Sequence, residues 1–163
     1  MIILKSPNEI EFMKRAGRVV AEVHEILREA IEPGITTKAL PAFKGYNGFP
    51  ASICTSINEE VVHGIPGSRI LVEGDIISID IGAIVDGYYG DAAKTHSVGE
   101  VSQRKKELID ITRGSFFEGI KYAREGYRLS DISNAIQNYV ERNGFSVVRD
   151  YVGHGIGQKM HED

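Results

Sequence analysis

The 163 residues include 19 Lys and Arg against 23 Asp and Glu, a net charge of −4, with 42% hydrophobic and 26% charged positions. Such a chain can bury one good core, and its acidic balance argues against a dedicated nucleic-acid binder. One cysteine, Cys54, excludes an internal disulfide and fits a reducing compartment. Met1-Ile2-Ile3-Leu4 is too short for a secretory segment and is interrupted by Lys5, and no apolar run approaches the ~20 residues that span a bilayer. A cytoplasmic protein is expected, with neither a membrane nor a specific nucleic acid as partner.

Ser6-Pro7-Asn8-Glu9 is a capping box with proline at the first helical position, which predicts a helix start. Ile10, Met13, Val20, Val23 and Leu27 then recur at helical spacing until Pro33-Gly34. His24, with no partner spaced to help it, reads as a surface or edge residue of that helix. Thr36 to Leu40 opens a second helix that Pro41 stops within a turn. A helix that short buries no apolar face, so a stretch is expected to be missing between Leu40 and Pro41. Residues 41–50 form a loop dense in Gly, Pro and Asn. Its rings, Phe43, Tyr46 and Phe49, either plug the end of the core or wall a pocket. Ala51 to Ile57 predicts a strand containing Cys54, and Val61-Val62 leads to His63-Gly64-Ile65-Pro66-Gly67.

The stretch from Asp75 to Asp91 organises the rest. Ile77, Ile79 and Ile81 share one face of a strand, and Asp80 falls on the other. Asp86-Gly87 between apolar flanks signals a tight hairpin, because a type I′ turn needs positive φ at both central positions. With that loop Val85 pairs with Tyr88 and Gly82 with Asp91. Asp80 then lies diagonal to Asp91 on one face, roughly 7–8 Å away between α-carbons. Carboxylates so placed either end strands on a solvated surface or repel unless something positive lies between them. A metal pair, with ions about 3.5–4 Å apart, is one candidate.

Thr95 to Val98 finishes a strand after the hairpin. Ser102 caps a helix with Leu108, Ile111, Phe116 and Ile120 on its stripe, closed by Gly126. Ser130 caps another, through Ile132, Ile136, Tyr139 and Val140, closed by Gly144, and Phe145 to Val148 predicts a strand. Helix, strands, hairpin, two helices and strand make an α+β layer with helices covering an antiparallel sheet.

Gly153-His154-Gly155-Ile156-Gly157 follows that strand. It lacks the G-x-G-x-x-G spacing of a dinucleotide loop, and glycines around a histidine let backbone crowd close to an ion or substrate. Two histidines here, His154 and His161, add to His63. Carboxylates with imidazoles suit Mn, Fe, Co or Zn.

Several blocks together resemble the bacterial-type (type I) methionine aminopeptidases of the pita-bread metallopeptidases. They are Tyr46-Asn47-Gly48-Phe49-Pro50, Cys54-Thr55-Ser56-Ile57-Asn58-Glu59, Val62-His63-Gly64-Ile65-Pro66, Ile79-Asp80-Ile81 with Asp91, and Gly153-His154-Gly155-Ile156-Gly157 with His161. The resemblance covers nearly the whole chain in the family's order. It implies the pita-bread fold, two pseudo-symmetric halves around a dinuclear centre, here as a single metallopeptidase domain over residues 1–163 comprising the N-terminal half and the first strand of the second. It implies two divalent ions (Co, Mn, Fe or Zn) held by Asp80, Asp91 and His154, with Asp91 bridging. His63 and His161 would act in catalysis by contacting the substrate amine or amide and stabilising the tetrahedral intermediate. Phe43, Tyr46, Phe49, Cys54 and Met160 would line the pocket for a methionine side chain, a thioether suited to aromatic and sulfur neighbours. The activity implied is removal of N-terminal methionine from nascent polypeptides, at the ribosome, by hydroxide that the metal pair activates.

The departures carry expectations of their own. The family completes its metal site with a pair of glutamates downstream of the position matching His161, and this chain ends at Asp163. Glu162 belongs to the matched motif and cannot replace them. The sequence therefore reads as an incomplete version of the enzyme, inactive or nearly so by itself. Alternatives of other kinds are a prolidase or aminopeptidase P relative, and a non-catalytic pita-bread module that binds protein or RNA. The first usually carries a large N-terminal domain, and the second tends to lose the ligands that this chain keeps.

Overall fold

Helix α1 (Pro7–Ala30) starts where the capping box predicts: Ser6 Oγ accepts from the Glu9 amide at 3.4 Å, and the Glu9 carboxylate accepts from the Ser6 amide at 2.7 Å. The structure, a computed structural model, describes residues 2–40 and 53–163, so the loop with Phe43, Tyr46 and Phe49, and the first part of the predicted strand, lie outside the described residues. These fall into two compact units, Met1–Val101 with Gly153–Asp163, and Ser102–Val152.

The first unit is built on an antiparallel sheet in the order β1 (Cys54–Ile57), β2 (Ile76–Val85), β3 (Tyr88–Ser97). The hairpin register is the expected one, Val85 opposite Tyr88 and Gly82 opposite Asp91. Asp86 at φ 52° and Gly87 at φ 81° supply the two left-handed residues that the tight turn requires. β3 runs from the turn to Ser97, so the strand expected to finish over Thr95 to Val98 ends one residue short of Val98. Thr36 to Leu40 yields only a 3₁₀ turn, Thr37–Ala39.

Period-two alternation puts Ile77, Ile79 and Ile81, at most 1% exposed, on the face that meets Val20, Val23 and Leu27 of α1. Full burial stabilises by about 1.5–3 kcal/mol per side chain of this size. Helix and strand approach closely at Gly90, where a Cβ would stand 2.6 Å from the carbonyl carbon of Ala16 and 2.7 Å from its oxygen. His24 is not the surface residue its spacing suggests. It is fully buried in the seam between α1 and β3, with Nε2 3.0 Å from the Ala92 carbonyl, which satisfies one polar atom at depth.

In the second unit Ser102 caps α2 (Gln103–Ile120) by accepting from the Lys105 amide. α3 spans Leu129–Arg142 and starts two residues before the predicted Ser130 cap would allow; the Asp131 carboxylate accepts from the Arg128 amide at 2.8 Å. The packing face of α2 also differs from expectation. Its buried residues are Ser115 and Gly119, whereas Leu108, Phe116 and Ile120 are exposed. Small residues win because α3 comes too close for large ones: a Cβ at Gly114 would lie 2.6 Å from the Tyr139 hydroxyl, and one at Gly119 2.8 Å from Ile136. Residues 145–148 do not pair into a strand; an apolar run suits a ladder but does not form one without a partner edge. Among the described residues no helix is long and apolar enough to cross a membrane.

Candidate metal centre

The face of the sheet opposite α1 gathers the polar side chains. Cys54 pairs with Asp80 across β1 and β2, and Ala93 pairs with Asp80 on the other side. Directly opposed residues share a face, so Cys54, Asp80, Gly82 and Asp91 all point the same way. Ser78 and Thr95 extend this face with a hydroxyl pair at 2.8 Å.

The carboxylates are under electrostatic load. Burial first, then the charge of Asp80, raises the pKa of Asp91, while the nearby imidazoles of His154 and His161 act the other way. Oδ1 of Asp91 is buried and without a hydrogen-bond partner. Burial, followed by the charges of Asp80 and Asp91, pushes the Cys54 thiol up to about 11. Cys54 is therefore a neutral thiol at physiological pH and not a thiolate nucleophile.

The glycine-rich segment brings in the histidines. Gly155 and Glu162 exchange amide-to-carbonyl hydrogen bonds, 2.8 Å each way, which folds residues 155–162 into a tight reversal. The Tyr89 amide donates to the Gly157 carbonyl at 2.8 Å and ties the reversal to β3. His154 and His161 consequently lie with ring centroids 4.3 Å apart, tilted 46°. His154 Nδ1 is 3.0 Å from the Gly155 carbonyl, so it can only donate there. In the neutral ring Nε2 then keeps its lone pair, and it faces Asp91 Oδ2 at 3.6 Å. His154 Nε2 and Asp91 Oδ2, held beyond hydrogen-bond range beside an orphaned buried carboxylate oxygen, leave a place that a cation can fill.

That is the fit expected of a divalent ion bound by oxygen and imidazole. No group of three or more His, Cys, Asp or Glu among the described residues has the spacing of an assembled metal cage. The donors converge without closing, and Asp91 is the group the others share. Met160 also reaches this face, since a Cβ on Gly82 would meet its Cε at 2.9 Å. His63, exposed and left-handed at φ 60°, precedes Gly64, whose carbonyl accepts from the Thr55 amide beside Cys54. The structure thus brings together Asp80, Asp91, His154, His161, Cys54 and Met160, and sets His63 next to β1. Sequence reasoning missed the supports of this face, Lys5, Tyr88 and Gln158, because nothing local distinguishes them.

A hairpin that offers two carboxylates to a glycine-flanked imidazole has the donor chemistry of a metal-dependent enzyme, and the family agrees: residues 11–163 match Metallopeptidase family M24, and the chain belongs to that family. Similar relatives at 52% identity or more are named methionine aminopeptidases. The methionine aminopeptidase of Clostridium acetobutylicum is 56% identical over 178 residues, covering 100% of this chain and 71% of that protein. The alignment is longer than the 163-residue chain, so the relative has residues without counterparts here. The crystal structure of methionine aminopeptidase from Rickettsia prowazekii superimposes with a TM-score of 0.96 at 40% identity, covering 100% of this chain and 71% of that one. The pita-bread α+β fold is therefore the fold of this chain, and the family implies divalent metal ions. Xaa-Pro dipeptidase from Bacillus anthracis, at TM-score 0.82 and 23% identity, shares the fold alone.

Proposed function

We propose that this chain carries the metal-binding face of an enzyme that removes N-terminal methionine from nascent polypeptides in the cytoplasm, at the ribosome. In this reading Asp80, Asp91 and His154 would hold two divalent ions drawn from Co, Mn, Fe or Zn. The observation that carries it is the 3.6 Å approach of His154 Nε2 to Asp91 Oδ2 on the face that also bears Asp80. Ions bound there would supply Lewis acidity and a water of lowered pKa.

The chain's own residues have separate tasks. His161, held against His154, and His63 are proposed to contact the substrate amide and amine and to steady charge that develops on the scissile carbonyl oxygen. Cys54 and Met160 present sulfur to the methionine thioether. Phe43, Tyr46 and Phe49 are proposed to complete that pocket. Residues 1–163 act as one metallopeptidase domain.

Two carboxylates and one imidazole leave a metal pair short of donors, since a single divalent ion commonly takes four or more ligands. Turnover by these 163 residues alone is accordingly expected to be very low. The reading is tested by incubating the chain with Mn²⁺ and either a Met-Ala or an Ala-Pro peptide. Trace release of methionine with no cleavage of Ala-Pro is expected. Preference for Ala-Pro would move the chain to the prolidases, and vigorous methionine release would overturn the expected shortfall.

A further inference from the structure

The reversal that presents His154 and His161 is clamped from outside the site. Lys5, just ahead of α1, sets its ammonium on Oε2 of Glu162, with the two side chains only 17% and 14% exposed. Lys5 Nζ also donates to the Ile3 carbonyl at 3.3 Å. Oε1 of Glu162 accepts from the Lys159 amide at 3.2 Å, and the Glu162 backbone makes both hydrogen bonds of the bridge to Gly155. Gly157 lies under this pair: a Cβ there would stand 2.5 Å from Glu162 Oε1 and 2.7 Å from Lys5 Cε. A second strut runs alongside. Gln158 donates to the Tyr88 hydroxyl at 2.9 Å, which donates to Glu9 Oε1 at 3.0 Å, and the Tyr88 ring stacks on Phe12 with centroids 5.4 Å apart.

The start of α1 is therefore bonded to the reversal through a charged pair and a hydrogen-bond relay that ends on the Glu9 carboxylate. The charged one engages the residue next to His161. We propose that Lys5 is a positioning residue, whose ion pair with Glu162 fixes the 155–162 reversal and thereby the spacing of the His154 and His161 imidazoles beside Asp91. Its importance to activity rests on the metal-centre reading above, but its effect on the two rings does not. A partly desolvated ammonium paired to a carboxylate that also closes the backbone bridge couples side-chain charge directly to loop geometry. The Tyr88 relay reaches the reversal one step removed, through Gln158, whose backbone also hydrogen-bonds the Glu162 carboxylate.

The test is nuclear magnetic resonance on the 163-residue chain in EDTA, comparing wild type with Lys5→Met, Lys5→Arg and Glu162→Gln. In Lys5→Met and Glu162→Gln the Gly155 and Glu162 amides should exchange about tenfold faster, the effect of losing one hydrogen bond to a charged group. Ile77 and Ile79 amides should not change, which separates a local release from unfolding. The cross-relaxation between His154 and His161 ring protons should vanish in both variants and survive in Lys5→Arg. Glu162→Gln breaks the same pair from its other end, so the test stands even where Lys5→Met fails to fold. Unchanged amides, or faster amides with the ring contact intact, would overturn the proposal. Mn²⁺ calorimetry on the same set should show affinity lowered about tenfold in Lys5→Met and restored in Lys5→Arg, the same lost bond read at the ions. A wild type that takes up no Mn²⁺ defeats the metal reading, and the amides and rings then decide the role of Lys5 by themselves.

Discussion

Asp80 and Asp91 stand diagonal to each other on one face of a hairpin, Asp80 opposite Ala93 and Asp91 opposite Gly82, while isoleucines fill the other face. The arrangement costs stability in the metal-free chain. Burial and the Asp80 charge raise the pKa of Asp91, so the folded state resists its ionisation. Stability is complete below the ordinary aspartate range near 3.8 and declines as pH rises through the raised value. Asp91→Asn should therefore raise the melting temperature of the chain in EDTA at neutral pH, by the equivalent of about 1 kcal/mol. A lower melting temperature would mean that Asp91 supports the fold and is not a charge held there for a ligand.

The buried histidines give the opposite pH dependence. His96 and His24 face each other in the seam between α1 and β3, ring centroids 6.4 Å apart, each with a buried nitrogen lacking a partner. Burial first, then His24 and Lys94, lowers the His96 pKa to about 4, with Glu25 opposing and Arg28 adding to the shift. Burial lowers His24 as well, against the Ala92 carbonyl, Asp80 and Glu25. The unfolded chain binds the proton at the ordinary value of 6.5, so stability held above that pH is lost as pH falls toward about 4. His96→Leu should flatten the acid limb of a stability–pH profile by roughly 2 kcal/mol. Parallel acid limbs in the two proteins would contradict this.

Two glycines flanking the site should respond differently to the same change. Gly90→Ala drives a methyl into the Ala16 backbone, which cannot yield, and should destabilise by about 1–3 kcal/mol in urea unfolding. Gly82→Ala meets only the Met160 thioether, whose Sδ and Cε would lie 3.6 and 2.9 Å away and can swing aside. It should cost less than about 1 kcal/mol. Equal costs would show that helix α1 does not press on β3 where described.

Ile79, fully buried and one residue before Asp80, tests whether core and site are coupled. Ile79→Ala should cost about 2–5 kcal/mol through lost burial and a residual cavity. A loss below 1 kcal/mol, on the scale of an exposed site, would be inconsistent with the packed seam.

Local chemistry made much of this legible. The capping box, the Asp86-Gly87 turn and the isoleucine alternation each act within a few residues, so the start of α1, the hairpin register and the shared face of Asp80 and Asp91 follow from pattern alone. Residues that owe their state to distant partners were opaque. The depth of His24 depends on where β3 lies, the pairing of Lys5 with Glu162 on how the ends of the first unit meet, and the burial of Gly119 on the approach of α3. Phe145 to Val148 has the composition of a strand, yet pairing is a property of two segments. The proposed ligand set rests on the resemblance of whole blocks, with the geometry around Asp91 in its support.

The central claim is that Asp80, Asp91 and His154 hold divalent ions through Asp91. Titration of the 163-residue chain with Mn²⁺, followed by electron paramagnetic resonance, tests it most directly. Saturable Mn²⁺ uptake by the wild type that disappears in Asp91→Asn is the predicted result; equal uptake by both proteins, or none by the wild type, would contradict it.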